Sequence, residues 1–191
     1  MLISDDVEYF PLTLQRWADF EALMGKKGAY GGCWCMFWHI TRAEFSKASG
    51  EQNKQAMLTK VKLGQVPGIL IYDNQTAVAW CAVAPRSAFA ALERSRVFKR
   101  VDQAAVWSIV CFFIKENMRN KGLMLKAIRA AVAYARQNGA HILEAYPVEY
   151  DQHCSPLNLY MGVAQIFRKA GFQEVKRPSS SRHVIMRLQF D

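Results

Sequence analysis

Two short apolar runs, 68–72 (GILIY) and 76–84 (TAVAWCAVA), flank the polar triplet Asp73, Asn74 and Gln75, a pattern that predicts a β-hairpin. Upstream, 7–13 (VEYFPLT) predicts a first strand. Leu14, Trp17, Phe20, Leu23 and Met24 then recur at helical spacing, predicting a helix that Gly28 stops. Segments 41–49 and 53–64 predict one or two surface helices, the first beginning just after Thr41, which forms a capping-box pattern with Glu44. Pro85 ends the second hairpin strand and sets Arg86 at its rim, and the mixed, basic segment 87–103 predicts a solvated connection or a short helix.

The longest β-branched and aromatic run, 106–114 (VWSIVCFFI), predicts a central strand buried on both faces. A polar turn follows, and then 125–139, rich in alanine and closed by Gly139, predicts a helix. Segment 140–148 predicts the next strand, 157–171 a further helix and 183–190 a terminal strand. Strand, turn, helix and strand within about forty residues form a βαβ unit, whose crossover requires parallel pairing, so the N-terminal hairpin makes the sheet mixed. No repeat and no Gly-, Ser- or Pro-rich linker divides residues 1–191, which are expected to form a single α/β domain.

Composition narrows the function. With 51% hydrophobic residues the 191-residue chain can build a continuous core. Its net charge of +9, from 25 Lys and Arg against 16 Asp and Glu, favours anionic partners such as phosphorylated cofactors. No nucleic-acid recognition motif accompanies that charge, which makes nucleic acid an improbable partner. The start of the chain lacks a signal-peptide pattern and no later segment has the length of a membrane span, so no membrane partner and a cytoplasmic location are expected. Five cysteines cannot all pair as disulfides within the chain.

The stretch 31–40 (GGCWCMFWHI) concentrates cysteine and aromatic side chains behind two glycines. Cys33 and Cys35 lack the spacer of a zinc half-site, and a set assembled from Cys33, Cys35, His39 and Cys154 is the minor alternative to a site with no metal. In an extended segment Cys33 and Cys35 would share one face and Trp34 and Met36 the other, as in a buried strand.

The turn at 119–124 (RNKGLM) lies between the central strand and the alanine-rich helix. Backbone N–H groups at a helix start can hold phosphate oxygens, Arg119 and Lys121 add positive charge, and Gly122 permits close approach. An ordinary βα turn with solvated basic residues is the competing reading. The turn lacks the spacing of a P-loop or a dinucleotide-binding loop.

At this turn the chain resembles the GNAT acyltransferases, whose [QR]xxGx[GA] loop grips the coenzyme A pyrophosphate; Arg119 and Gly122 match its first and fourth positions, and Met124 replaces the small sixth residue. Segment 139–148 is placed like the family's splayed strand, and 167–175 (FRKAGFQEV) resembles its late helix and Gly-Phe turn. The resemblance covers most of 68–190 and implies a GNAT-like fold: a mixed, mostly antiparallel central sheet with parallel splayed central strands and flanking helices. It also implies acetyl-CoA as cofactor, held by Phe112, Phe113, Ile114, Arg119, Asn120, Lys121, Gly122, Leu123 and Met124.

The activity so implied is transfer of acetyl to a primary amine, on a small molecule or a peptide, by direct attack; the alternative is a non-catalytic acyl-CoA-binding sensor or interaction module. A homodimer is compatible with either. Many members carry a tyrosine four residues before the Gly of the Gly-Phe turn as proton donor to the thiolate; Phe167 stands there, and Tyr160, seven residues earlier, is the substitute candidate. Glu144, a carboxylate inside an apolar run, is the candidate base, with a satisfied sheet glutamate as the equal alternative. Glu116, Glu149 and Asp151 rank behind it, and Tyr146 and Cys154 are further proton-bearing groups. Trp34, Met36, Phe37 and Trp38 are expected to wall an acceptor pocket, although the same residues would serve a core equally well.

Overall fold

The computed structural model describes residues 2–3, 7–150, 156–179 and 181–190. Strands β1 (Leu2–Ile3), β2 (Val7–Pro11), β3 (Ile69–Asp73), β4 (Thr76–Pro85), β5 (Trp107–Ile114), β6 (Ile142–Ala145), β7 (Gln173–Lys176) and β8 (Ile185–Gln189) form one sheet in the order β1, β2, β3, β4, β5, β6, β8, β7. Of these neighbours only β5 and β6 run parallel. The hairpin from β3 to β4 turns on Asn74 and Gln75, both at positive φ, as a two-residue turn between twisted strands requires.

Side-chain alternation sends β4 and β5 residues to two cores. Ala79, Cys81, Val83, Ile109 and Phe112 face α5 (Leu123–Gln137) and α6 (Ala164–Lys169). Trp80, Ala82, Ala84 and Val110 face the other layer, built from α1 (Trp17–Met24), the turns at 28–40, α3 (Gly50–Lys62) and α4 (Ala90–Glu93). The β4–β5 register shifts between Ala82 and Val83, leaving Val110 as the extra residue of a bulge. The central strand is thus covered on both faces, as its unbroken apolar run predicts.

The capping box is present. Glu44 Oε2 accepts from Thr41 N at 2.8 Å, Glu44 N donates to Thr41 Oγ1 at 3.3 Å, and α2 (Arg42–Lys47) begins one residue after Thr41. Ser49 and Gln52 make a second box that starts α3 earlier than the apolar spacing predicts.

Several sequence expectations are corrected. Gly25, at φ 66°, ends α1, three residues before the expected stop at Gly28. Segment 31–40 is no strand: Trp34 (φ 41°) and Cys35 (φ 59°) adopt left-handed backbone conformations, followed by a 3₁₀ turn at Met36–Trp38. Gly28 lets the Trp34 indole in, since a Cβ there would lie 2.3 Å from its Nε1. The helix expected over 157–171 is broken into a 3₁₀ helix, Pro156–Met161, and α6. Gly162 separates them at φ 89°, where a Cβ would lie 2.6 Å from the Phe167 ring. Strand β7 carries no apolar run and was not expected; pairing with β8 makes it a strand. The basic segment after β4 is only partly solvated, because Phe89, Leu92 and Phe98 are buried in the second core.

Candidate functional site

β5 and β6 stay together for three residue pairs, Trp107–Leu143, Ser108–Glu144 and Ile109–Ala145, and then part. Beyond β6, Val148 bonds to a different pair of neighbours: its N–H donates to Gly162 O at 3.0 Å and its carbonyl accepts from Ala164 N at 3.0 Å. On the other side Val184 N donates to Pro147 O and Glu149 N to Arg182 O, both at 2.9 Å. The chain after β6 is thereby drawn away from β5, and a notch opens along β5 from Val110 to Ile114. Lys115 N bonds back to Val78 O at 3.0 Å, so by alternation Phe112 and Ile114 direct their backbone polar groups into the notch. Side chains alternate with them: Phe112 and Ile114 pack toward α5, and Cys111 and Phe113 toward the second core.

The turn after β5 closes onto the same edge. Arg119 Nε donates to Ile114 O at 3.2 Å, Asn120 (φ 60°) and Gly122 (φ 75°) reverse the chain, and α5 begins at Leu123. The N–H groups of Leu123 and Met124 lie in the first turn of α5, where no carbonyl stands one turn earlier to accept them. Nothing lies within 4 Å of where a Gly122 Cβ would be, so the loop is open there. Met124, the departure from a small residue, turns its half-buried side chain into the first core and leaves the amides clear. Arg119, Asn120 and Lys121 are exposed. The positive charge, free amides and open backbone suit an anionic, phosphate-bearing group.

Glu144 is placed otherwise than a free base would be. It is 1% exposed, and both carboxylate oxygens are taken. Oε1 accepts from Arg86 Nη1 at 2.9 Å and from the Tyr146 hydroxyl at 2.5 Å, while Oε2 accepts from Arg187 Nε at 2.8 Å. Arg86 is buried rather than at the strand's rim, and it also donates to Tyr146 Oη, Leu92 O and Phe98 O and pairs with Glu93. Burial, together with the Glu144 charge, pushes the Tyr146 phenol well above its ordinary pKa. For Arg187, burial is the largest influence and opposes the charge, but Asp102 and Glu144 outweigh it and its pKa rises. Sequence reasoning missed this network. One signal was available: Glu144 and Arg187 stand directly opposite each other in the β6–β8 register.

Tyr160 lies on the 3₁₀ helix Pro156–Met161, which packs against β5 on the second-core face. Burial raises its pKa to about 12, with Cys111 adding to the rise and Arg42 and Trp38 opposing it, so it is protonated near neutral pH. Phe167, by contrast, is fully buried in the first core with Phe112 and Phe172. Glu149 is held by Arg168 and Arg177, which keep its carboxyl below the usual range. Glu116 is exposed in the turn after β5, and Asp151 and Cys154 lie outside the described residues.

Trp34, Met36 and Trp38 are all buried and do not converge on one pocket. Trp34 packs against Phe20 and lines a cavity of about 640 Å³ with Lys26, Lys27 and Lys54, on the α1–α3 side. Trp38 reaches Phe37, Phe98 and Arg42. Cys35 accepts from the buried Trp80 indole at 3.0 Å. Its contact raises the Cys111 thiol pKa, as does burial, and leaves Cys111 a poor nucleophile. Among the described residues no group of three or more His, Cys, Asp or Glu side chains could hold a metal ion, and no helix is long and apolar enough to cross a membrane.

Residues 34–161 match the family model described as the acetyltransferase (GNAT) family. Comparison with curated proteins finds no match. Among solved structures, a GNAT-family acetyltransferase from Streptococcus agalactiae superposes with a TM-score of 0.59 at 11% identity, over 100% of this chain and 99% of that one. The PaiA N-acetyltransferase from Thermoplasma acidophilum, in complex with coenzyme A, gives 0.54 at 9% identity over 96% and 99% of the two chains. The yncA protein of Salmonella typhimurium, with acetyl-CoA, gives 0.53 at 13% identity over 98% and 95%. At these identities the likeness is one of fold.

Proposed function

Because the chain belongs to the acetyltransferase (GNAT) family, we propose that it binds acetyl-CoA in the notch between β5 and β6 and transfers the acetyl group to a primary amine. The observation that carries this reading is the parting of the two parallel strands beside a phosphate-compatible helix start. The backbone of Phe112 and Ile114 would pair with the pantetheine amides, and the amides of Leu123 and Met124, with Arg119 and Lys121, would hold the pyrophosphate. Asn120 and Gly122 shape that loop, and Phe113 borders the notch on the opposite face. Support from relatives comes from the coenzyme A and acetyl-CoA bound to two proteins of the same fold.

Bound there, acetyl-CoA supplies an activated acyl thioester. This chain's residues then have two tasks, to position an amine and to manage protons. Tyr160, protonated and close to Cys111 on β5, is the group we assign as proton donor to the departing sulfur. Glu144 is 1% exposed and held by Arg86, Tyr146 and Arg187, so it acts as a buried counter-charge and the amine loses its proton to water. Reduced thiols and use of acetyl-CoA fit a cytoplasmic setting.

The second reading, a non-catalytic acyl-CoA sensor, is favoured by Phe167 and by the committed Glu144. Acetyl-CoA binding by calorimetry and product formation over an amine panel separate the two. Binding with turnover supports the enzyme; tight binding with no acetylated amine supports the sensor; no binding of acetyl-CoA sinks both. Tyr160→Phe is expected to lower kcat at least tenfold while leaving acetyl-CoA affinity intact, and an unchanged kcat would remove Tyr160 from the chemistry.

A further inference from the structure

A histidine marks the point where β5 and β6 part. Past β6, Pro147 O and Glu149 N bond to Val184 and Arg182 on the β8 side, whereas Val148 bonds on the opposite side, to Gly162 and Ala164. Alternation along the strand therefore turns the Tyr146 carbonyl to the side of β5. It is the first carbonyl on that side beyond the last β5–β6 pair, Ile109–Ala145, so it gives onto the notch. There it lies 2.8 Å from His183 Nδ1.

A backbone carbonyl only accepts, so Nδ1 donates to it and the neutral imidazole keeps its lone pair on Nε2. That atom has no partner among the described residues, and, unlike Nε2 of His39, it is not sealed in the core. His183 is half-buried opposite Val148 and shares the parity of Ile185, which places its ring on the second-core face, where Phe98 meets it edge-on at 5.4 Å. Tyr160 packs on that same face, on the 3₁₀ helix against β5. The charged groups about His183 are already engaged. Arg86 and Glu144, which both bond Tyr146, pair with each other; Glu149 is held by Arg168 and Arg177, Asp102 pairs with Arg187, and Arg182 has a partner of its own.

We infer that His183 Nε2 receives the proton of the acceptor amine, by way of the water that first takes it. The inference rests on the acetyltransferase reading. A protonated amine sheds one proton to become the nucleophile, forms the C–N bond at the thioester carbonyl and sheds a second as the C–S bond breaks. One of these protons is balanced by the one Tyr160 gives to the sulfur, and the other leaves through His183 for bulk water. Imidazole suits this task because it takes up and releases a proton between about pH 5 and 8. Proton donor and proton acceptor so stand on opposite sides of the notch, Tyr160 beside β5 and His183 beside the continuation of β6.

The test uses the full chain, acetyl-CoA and the best amine of the panel. His183→Asn keeps a donor for Tyr146 O and removes the base. It should lower kcat at least tenfold at neutral pH while acetyl-CoA affinity, read by calorimetry, changes less than threefold. Its kcat/KM–pH profile should lose the acidic limb near neutral pH and keep only the one set by the amine's own ionisation. Added imidazole should restore rate to the variant and not raise that of the wild type. Nitrogen NMR of the free protein, with the signal assigned by its loss in His183→Asn, should show the neutral ring protonated on Nδ1. A ring protonated on Nε2 overturns the proposal, as does a variant with unchanged kcat and an unchanged acidic limb. A fall in kcat that imidazole does not restore, with the limb still in place, overturns it too, since His183 would then only hold the strand. In each of these cases the wild type still acetylates its amine. A wild type that binds acetyl-CoA and acetylates nothing instead sinks the acetyltransferase reading and this inference with it.

Discussion

Arg86 Nη1 lies 2.9 Å from Glu144 Oε1, both side chains 1% exposed, so an ion pair closed to water joins the end of β4 to β6 across 58 residues of sequence. Removing one partner of such a pair leaves an uncompensated charge in the core, which typically costs about 3–5 kcal/mol. Glu144→Gln is therefore expected to lose stability on that scale in urea denaturation. The shape of its kcat/KM–pH profile should stay that of the wild type, because the carboxylate is a counter-charge. A lost acidic limb, the rise in rate as a base deprotonates, in a variant of normal stability would restore Glu144 as the base.

His39 gives the fold a pH dependence. Burial, with Lys60 adding to it, lowers its pKa from 6.5 to about 3; Nδ1 faces Ala88 O at 3.1 Å, and Nε2 is buried with no described partner. The folded pKa lies below the unfolded one, so the unfolded chain takes up a proton that the native chain refuses. Stability from this residue is fully present above pH 6.5 and is lost as pH falls toward 3, with a slope approaching about 1.4 kcal/mol per pH unit. His39→Phe should flatten the stability curve across that window. Parallel curves for variant and wild type would show that other groups set it.

At the loop before α5, Gly122→Asp adds a side chain at φ 75° and a negative charge beside the amides of Leu123 and Met124. Acetyl-CoA affinity should fall at least tenfold by calorimetry. Because space around Gly122 is open, the loss of stability should stay near the roughly 1 kcal/mol that a left-handed backbone asks of a non-glycine residue. Unaltered affinity would move the phosphate site elsewhere.

Phe167→Tyr restores the hydroxyl of the family resemblance, but into the first core. Phe167 is fully buried, and the space a Gly162 Cβ would fill is 2.6 Å from its ring. The variant should lose about 1–3 kcal/mol for a buried hydroxyl lacking a partner and should gain nothing in kcat. A rise in kcat would mean that the hydroxyl reaches the sulfur.

Where a segment's neighbours are near in sequence, its structure is legible from pattern alone. The hairpin from β3 to β4, the buried strand β5 and the alanine-rich α5 follow from local periodicity, and the parallel pairing of β5 with β6 follows from the crossover between them. Segment 31–40 was illegible because positive φ at Trp34 and Cys35 is imposed by packing against Phe20, Trp80 and Gly28, none of which periodicity reveals. Arg86 was misplaced for a similar reason. Its burial depends on Glu144 and Tyr146, whose approach only the finished sheet brings about. At the site, the loop at 119–124 could be read from residue types, whereas the engagement of Glu144 by Arg86, Tyr146 and Arg187 could not, since those partners come from distant segments.

The strand order has a consequence for how the molecule is made. From β1 to β6 each strand lies beside its predecessor, so each can join a waiting edge as the chain leaves the ribosome. The rule breaks once, where β8 inserts between β6 and β7. Until β8 arrives, Glu144 lacks Arg187, and Val148 lacks the 182–184 segment that helps draw it from β5. Assembly of the cleft thus waits for β8, and a ribosome-bound chain halted before Ile185 should display the hairpin and α5 while remaining unable to hold an acyl carrier.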